Sequence, residues 1–297
     1  MTAGPHPLYL PAGNLRRRQR TNRAVELAAT LAAALAVAVL ALVITSVAVK
    51  GSSALNLDFL TQTGATSSFG ASGTGIANAI VGTAVMVAIA TAIAVPLGLL
   101  VAIFTREFAP ARLADAVRFA LDVLNGVPTI ITGIFVYGLI VVAQGHQSGF
   151  AGGIALAIVM LPIVARTAQE VLALVPEHLR EAAYALGVTR WRTVLRVILP
   201  TAAGGLLTGA LLGVARAAGE TAPLLFTSSI VANNVSTDPS SALASIPVTI
   251  FQLSEQPYPV AHEQAWAAAL LLILLVLLLN IVARTFHARS RARIETE

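Results

Sequence analysis

The chain contains no cysteine, which excludes disulfide bonds, thiol catalysis and thiolate metal sites. Charged residues are scarce, at 11% of the 297 positions, whereas 57% are apolar and the mean hydropathy is +0.81. A soluble protein of this size would need a much larger polar surface, so the composition indicates an integral membrane protein. A G-x-x-x-x-G-K-[ST] phosphate loop is also missing, so the chain has no such motif for hydrolysing ATP.

Six apolar runs are each close to the roughly 20 residues that a helix needs to cross a bilayer. They are placed at 25–49, 76–104, 119–143, 150–172, 201–229 and 263–284. The first run is longer than the ~7–15 apolar residues of a secretory signal, so it is predicted to remain as an anchor. In the third run, Asn125-Gly126-Val127-Pro128 should kink or unwind the helix, because proline cannot donate a backbone hydrogen bond. The expected fold is all-α, with six transmembrane helices.

These runs divide the chain into five predicted parts. They are a basic tail at 1–24, the first helix at 25–49, a Gly/Ser/Thr-rich loop at 50–75, a five-helix domain at 76–284 and a basic tail at 285–297. Sixteen of the nineteen Lys and Arg residues lie near the chain ends or in the segments 105–118 and 177–200. Basic loops stay in the cytoplasm, so both termini and the 177–200 segment are predicted to face it. The net charge of +5 therefore reports orientation and contact with anionic lipid, and no nucleic-acid partner is expected.

The polar segment 177–200 separates two strongly apolar runs. Residues 177–186 and 190–199 are predicted to form two short helices, with Gly187 supplying a turn that a β-carbon would obstruct. Two short helices at an angle form a compact knob, which can occupy a groove on another protein.

Several motifs carry a resemblance to a known family. Glu181-Ala182-Ala183, followed by Gly187 and Pro200, resembles the EAA loop through which membrane subunits of ABC importers contact their ATPase. The run ARAAGETAPL at 215–224 is more specific, and with the motifs at 78–83, 126–130 and 161–167 it is similar to PstA-type permeases of phosphate-specific importers. The resemblance covers about residues 72 to 284.

The resemblance implies a type-I ABC importer permease in a prokaryotic plasma membrane that carries inorganic phosphate inward and is not itself an enzyme. It implies a heterodimer with a PstC-type permease, two PstB-type ATPase subunits that bind ATP and Mg²⁺, and an external PstS-type phosphate-binding protein. No cofactor is expected in this chain. The residues implied to contact the ATPase are Glu181, Ala182, Ala183, Gly187, Arg190, Trp191, Arg192 and Pro200.

Two arginines fall inside or at the edge of apolar runs, where a charge is costly and should have a partner. Each has a glutamate four residues later, which gives the pairs Arg166–Glu170 and Arg216–Glu220. Guanidinium binds oxyanions in a bidentate manner, so both arginines are candidates for the substrate path. An alternative for Arg166 is that it only extends to the membrane interface. Through the resemblance, the candidate path residues are Arg166, Glu170, Arg216, Glu220 and Thr221.

Three glycines in the fifth run, Gly205, Gly209 and Gly213, recur at every fourth residue and share one helix face. Small residues at this spacing let helix backbones approach closely in lipid. They predict a tightly packed helix, with the seam to a paired permease as one option.

Two other functions stay open at this level. A permease for another oxyanion, such as sulfate or molybdate, would have similar features. More remotely, Gly70-Ala71-Ser72-Gly73 matches the GxSG pattern of rhomboid proteases, with His262 as a conceivable base. The serine, however, precedes the second span rather than opening the fourth. The histidines lack ligand spacing, so no metal site is predicted.

Overall fold

The computed structural model describes residues 15–64, 75–229, 232 and 234–294, and this part of the chain is helical without a β-strand. The helices are α1 (Leu15–Gly51), α2 (Leu57–Thr61), α3 (Ala77–Phe108), α4 (Ala111–Gly126), α5 (Thr129–Gln144), α6 (Gly149–Ala173), α7 (Glu177–Ala185), α8 (Arg190–Ala218), α9 (Leu224–Thr227), α10 (Ile246–Glu255) and α11 (Pro259–Ile294). Helices α3, α5 and α8 each include one π-helical turn, at Phe104–Phe108, Tyr137–Val141 and Val194–Ile198 respectively.

Five of these helices, α1, α3, α6, α8 and α11, are long and apolar enough to cross a membrane. The pair α4 and α5 adds a sixth span if it is counted as one, although its two halves are bent by 93°. The bend lies at Val127 and Pro128, whose backbones are extended, so the predicted interruption of the third span is confirmed. The fold class is therefore as expected from the sequence.

Two predicted boundaries of the fifth span are wrong. Helix α8 begins at Arg190 rather than 201, because the second short helix predicted for the segment 177–200, called the coupling segment below after the loop it resembles, continues directly into the span. The π-helical turn just before Pro200 widens the helix there, which accommodates a residue that has no N–H to donate. The helix ends at Ala218 rather than 229, since Gly219 and the following Pro223 stop it. Helix α11 is longer than the predicted last span, because it begins at Pro259 and continues beyond 284 to Ile294.

The chain divides into two compact units, residues 1–49 and 50–297. The described part of the first unit is the single helix α1 as far as Val49. The second unit contains the remaining helices and the core. The Gly70–Gly73 motif considered above lies outside the described residues.

The core of the second unit is built around the adjacent helices α3 and α6. Glycines permit this contact, since a β-carbon at Gly153 would lie 2.6 Å from Ile89 Cγ2 and one at Gly98 would lie 3.0 Å from Val164 Cγ1. At one end, a cluster around Phe59 and Leu253 joins α2, α3, α10 and α11. A separate cluster containing Leu172, Val194 and Ile198 lies where α6 meets the start of α8. The core therefore anchors the coupling segment at a defined end of the spans.

Candidate functional site

A small polar pocket lies at the break between α4 and α5. Its volume is about 50 Å³, and Asn125 and Thr129 from the break line it together with Ile163 of α6 and Arg216 of α8. Helix α5 follows Pro128, whose side chain cannot cap it, so the first backbone N–H groups of α5 have no partner within the helix. The pocket thus combines the N-terminal end of a helix with a guanidinium group, and both favour an anion.

Arg216 lies in the last turn of α8, with its side chain 62% exposed. Its Nε is 3.7 Å from Glu220 Oε1, which makes an ion pair that is longer than a hydrogen bond. Because α8 ends at Ala218, Glu220 reaches back from the first residues beyond the helix, and its side chain is only 16% exposed. The carboxylate lowers the local net charge while leaving the guanidinium donors of Arg216 accessible.

Arg166 of α6 is held between two carboxylates. Its Nη1 is 3.9 Å from Asp122 Oδ1 and its Nε is 3.8 Å from Glu170 Oε1. Asp122 was not identified from the sequence, although an aspartate within an apolar run should have been expected to have a partner. Asp122 precedes the break by one turn, so Arg166 and Arg216 both lie beside the interrupted span.

Thr221 has a different position from the other candidates for the path. Its carbonyl oxygen accepts hydrogen bonds from Leu224 N and Leu225 N, at 3.1 Å each, and so begins the short helix α9. Pro223, the residue before α9, packs against α5, where a β-carbon at Gly133 would lie 2.7 Å from Pro223 Cα. The run 215–224 therefore places Arg216 at the pocket and packs its other end against α5.

The coupling segment has the predicted helix–turn–helix geometry. Helix α7 ends before Gly187, whose φ of +73° is in the left-handed region that favours glycine. Gly187 N donates to Tyr184 O at 2.9 Å, and Val188 N donates to Ala183 O at 3.0 Å, which closes the helix end. The exposed side contains Glu181, Ala182, Arg190 and Arg192, together with the apolar side chains of Leu186 and Trp191, which are 84% and 60% exposed. Ala183 is buried, and Pro200 lies within α8 rather than at the end of the loop.

The inner side of α7 contains a buried ion pair that the sequence did not predict. Arg180 Nη2 donates to Glu107 Oε1 at 3.0 Å, and the two side chains are 10% and 4% exposed. Burial disfavours the charged guanidinium, but hydrogen bonds and the charges of Glu107 and Glu177 outweigh it, so the pKa of Arg180 is raised above its ordinary value. A signal was present in the sequence, since Glu107 is an isolated carboxylate at the end of an apolar run.

The three glycines of α8 face α6 of the same chain. A β-carbon would lie 2.7 Å from Val171 Cγ1 at Gly205, 2.6 Å from Thr167 Cγ2 at Gly209 and 2.9 Å from Val164 Cγ2 at Gly213. This face is therefore used within the permease, not at a seam with a second one. The contact sets the position of Arg216, which follows Gly213 by one turn.

Comparison with known proteins gives a consistent result. The family described as "binding-protein-dependent transport system inner membrane component" matches residues 94–295. A protein of Yersinia pestis named "phosphate transport system permease protein PstA" is 41% identical over 276 residues, which cover 92% of each chain. Proteins of the same name from Pasteurella multocida and, as PstA 1, from Mycobacterium tuberculosis are 41% and 39% identical, covering 84% and 74% of this chain and 88% and 72% of those relatives.

Solved structures resemble the fold at lower sequence identity. The inward-facing MetNI methionine ABC transporter has a chain with a TM-score of 0.58 and 20% identity, which covers 72% of this chain and 93% of that one. An amino acid ABC transporter crystallised with histidines gives a TM-score of 0.54 at 19% identity, covering 72% and 92%. Since the family covers more than half of the sequence and the relatives match over most of their length, this chain belongs to the family of inner membrane components of binding-protein-dependent transport systems.

Proposed function

We propose that this chain is a permease subunit that carries inorganic phosphate through the membrane, with the pocket at the α4–α5 break on the path of the anion. The observation that carries the proposal is that Arg216 and the N-terminus of α5 line one pocket. Interrupted spans whose helix N-termini point at an anionic group are a recurrent solution in transporters. The relatives named as phosphate permeases support phosphate as the anion.

The pairing of Arg216 with Glu220 suits transport rather than tight binding. A site on a path must attract its ion enough to admit it and weakly enough to release it. Glu220 competes with the anion for the guanidinium at 3.7 Å, so a bound phosphate does not meet an uncompensated positive charge. Arg166, between Asp122 and Glu170, is a second cation of the same kind beside the same break.

Family membership makes this chain a non-catalytic, multi-pass subunit that works with other components of an ABC importer, so the rhomboid alternative is wrong. The finer assembly is part of our proposal. It contains a PstC-type permease, two PstB-type ATPases that bind ATP and Mg²⁺, and a PstS-type external binding protein. The exposed apolar side chains Leu186 and Trp191, with the neighbouring Arg190 and Arg192, form the surface that docks the ATPase.

Both termini and the coupling segment are proposed to face the cytoplasm. The sequence has no cysteine, so single cysteines can be introduced without a background signal. His146 and His178 are both exposed and lie on opposite sides in this arrangement. An impermeant thiol reagent applied to intact cells should label His146→Cys and not His178→Cys, and the reverse pattern would overturn the orientation.

The function is tested by measuring phosphate uptake in proteoliposomes containing the whole complex. Arg216→Gln keeps hydrogen-bonding capacity but removes the charge, and it should abolish uptake while the complex still assembles. Arg216→Lys should restore only part of the rate, because an ammonium group lacks the planar fork. Arg118→Gln is a matched control, since that arginine forms an exposed ion pair with Asp115 away from the pocket. Normal uptake by Arg216→Gln would exclude this pocket from the path.

The double variant Arg216→Gln with Glu220→Gln separates a structural role from a substrate role. If the pair is structural, Arg216→Gln alone would impair assembly, and the double variant should restore it because both charges are removed. If the arginine contacts the anion, the double variant should assemble but still not take up phosphate. The alternative substrates are tested by competition, in which excess sulfate or molybdate should leave the uptake of labelled phosphate unchanged. Inhibition by either would transfer the proposal to that oxyanion.

A further inference from the structure

The ion pair of Arg180 and Glu107 belongs neither to the pocket nor to the exposed side of the coupling segment. We propose that it is a latch, which ties α7 to the ends of α3 and α6 so that a displacement of α7 carries both span ends with it. This inference rests on the proposed function in one respect, namely that a partner ATPase moves α7. Arg180 is therefore a positioning residue, and it does not touch substrate.

The guanidinium of Arg180 joins three separate elements. Its Nη2 donates to Glu107 Oε1 at 3.0 Å, at the end of α3, and to Leu172 O at 3.2 Å, in the last turn of α6. Its Nη1 donates to Val175 O at 2.8 Å, in the connection after α6, and to Glu177 Oε2 at 3.1 Å, at the start of α7. A single side chain on α7 thus bonds a carbonyl in the last turn of α6, a carbonyl in the following connection and the terminal turn of α3.

A second polar contact lies beside this one. Gln169 Nε2 donates to Thr105 Oγ1 at 2.8 Å, and both residues are buried between α6 and α3. Each lies within one turn of a residue bonded by Arg180, since Thr105 precedes Glu107 and Gln169 precedes Leu172. The ends of α3 and α6 are therefore fixed to each other as well as to α7.

A buried ion pair is an unusual choice where stability alone is required. Its desolvation cost is so high that well-packed apolar residues often serve at least as well. The ion pair adds geometric specificity, because a guanidinium that is hydrogen-bonded through both Nη atoms holds its partners in one arrangement, whereas apolar surfaces can slide past each other. The Arg180–Glu107 pair is therefore better suited to transmitting a movement of α7 to α3 and α6 than to stabilising their contact alone.

The latch is tested in the reconstituted complex with Glu107→Gln, which keeps the shape of the side chain and removes its charge. The expected result is that phosphate moved per ATP hydrolysed falls about tenfold, because the amide oxygen still accepts from Arg180 but without the charge that strengthens the bond. ATP hydrolysis and the amount of assembled complex should stay near wild type. Asp115→Asn is the matched control, because it breaks an ion pair of similar length, 2.9 Å, that is exposed. A wild-type ratio in an assembled Glu107→Gln complex would overturn the latch.

A second measurement does not depend on phosphate. Spin labels on cysteines at Phe104, near the end of α3, and at His178, on α7, report the distance between the two elements. In the parent complex this distance should be unchanged by ATP, whereas in Glu107→Gln it should change when ATP binds. A distance that changes equally in both would refute the latch, while absence of phosphate uptake in the parent would refute only the proposed substrate.

If Glu107→Gln does not assemble, Glu107→Gln with Arg180→Gln leaves no buried unpaired charge and should assemble with the same lowered ratio. An intact ratio there would also overturn the proposal.

Discussion

Gly187 permits a test of the coupling segment in which backbone strain is separated from steric clash. Its φ is +73°, and no atom lies within 4 Å of a β-carbon placed on it. A substitution there therefore meets open space, and its cost comes from the left-handed backbone. We estimate about 1 kcal/mol for Gly187→Ala, and about 2 kcal/mol or more for Gly187→Val, because branched side chains resist this conformation most. Gly187→Asn should cost least, since asparagine tolerates positive φ.

These costs can be converted into expected losses of ATPase docking. If the partner binds only the ordered helix–turn–helix, 2 kcal/mol weakens docking about 30-fold, because each 1.4 kcal/mol is a factor of ten. The assay is the affinity of the purified permease complex for its ATPase in detergent, measured for the series Asn, Ala and Val. Gly145 is the matched control, as it has a φ of +75° and equally open surroundings but lies between α5 and α6. Gly145→Val should dock the ATPase normally. The reasoning fails if Gly187→Asn is as damaging as Gly187→Val, or if all three variants dock normally.

Two further predictions concern the spans. Gly209→Leu should destabilise the contact of α8 with α6 by about 1–3 kcal/mol, the usual cost of overpacking, and lower the melting temperature of the complex. Ala203→Leu, on the exposed side of the same helix, should leave the melting temperature unchanged, and equal effects of the two would contradict the packing described here. Asp122→Asn removes one of two partly exposed partners of Arg166, an interaction worth about 0–1 kcal/mol, so phosphate uptake should stay within about fivefold of wild type. Complete loss of uptake would show that Asp122 has a direct role.

The sequence was sufficient for those features that depend on local rules. Apolar length located the spans, Asn125–Pro128 located the break, and Gly187 located the turn, because each follows from the bilayer thickness or from backbone sterics. Helix ends were less predictable. The continuity of α8 through Pro200 depends on a π-helical turn, and apolar content alone does not distinguish that helix from two shorter ones.

Contacts between distant segments were the part that the sequence could not supply. The pairs Arg166–Glu170 and Arg216–Glu220 were found because their members lie four residues apart. Arg180 and Glu107 are 73 residues apart, and only the packing of α3 against α6 brings them together. The same limit applies to the pocket, whose lining comes from four helices and the break between two of them.

The continuity of α8 has a mechanical consequence. Helix α8 begins at Arg190, in the proposed docking surface, and has Arg216 in its last turn, so at 1.5 Å per residue the two are about 39 Å apart along the helix. A tilt of about 10° around the Arg190 end would move the Arg216 end sideways by about 7 Å on that length. Because Arg190 and Arg216 belong to one helix, a movement of the proposed docking surface would also move the guanidinium that we propose to contact the anion.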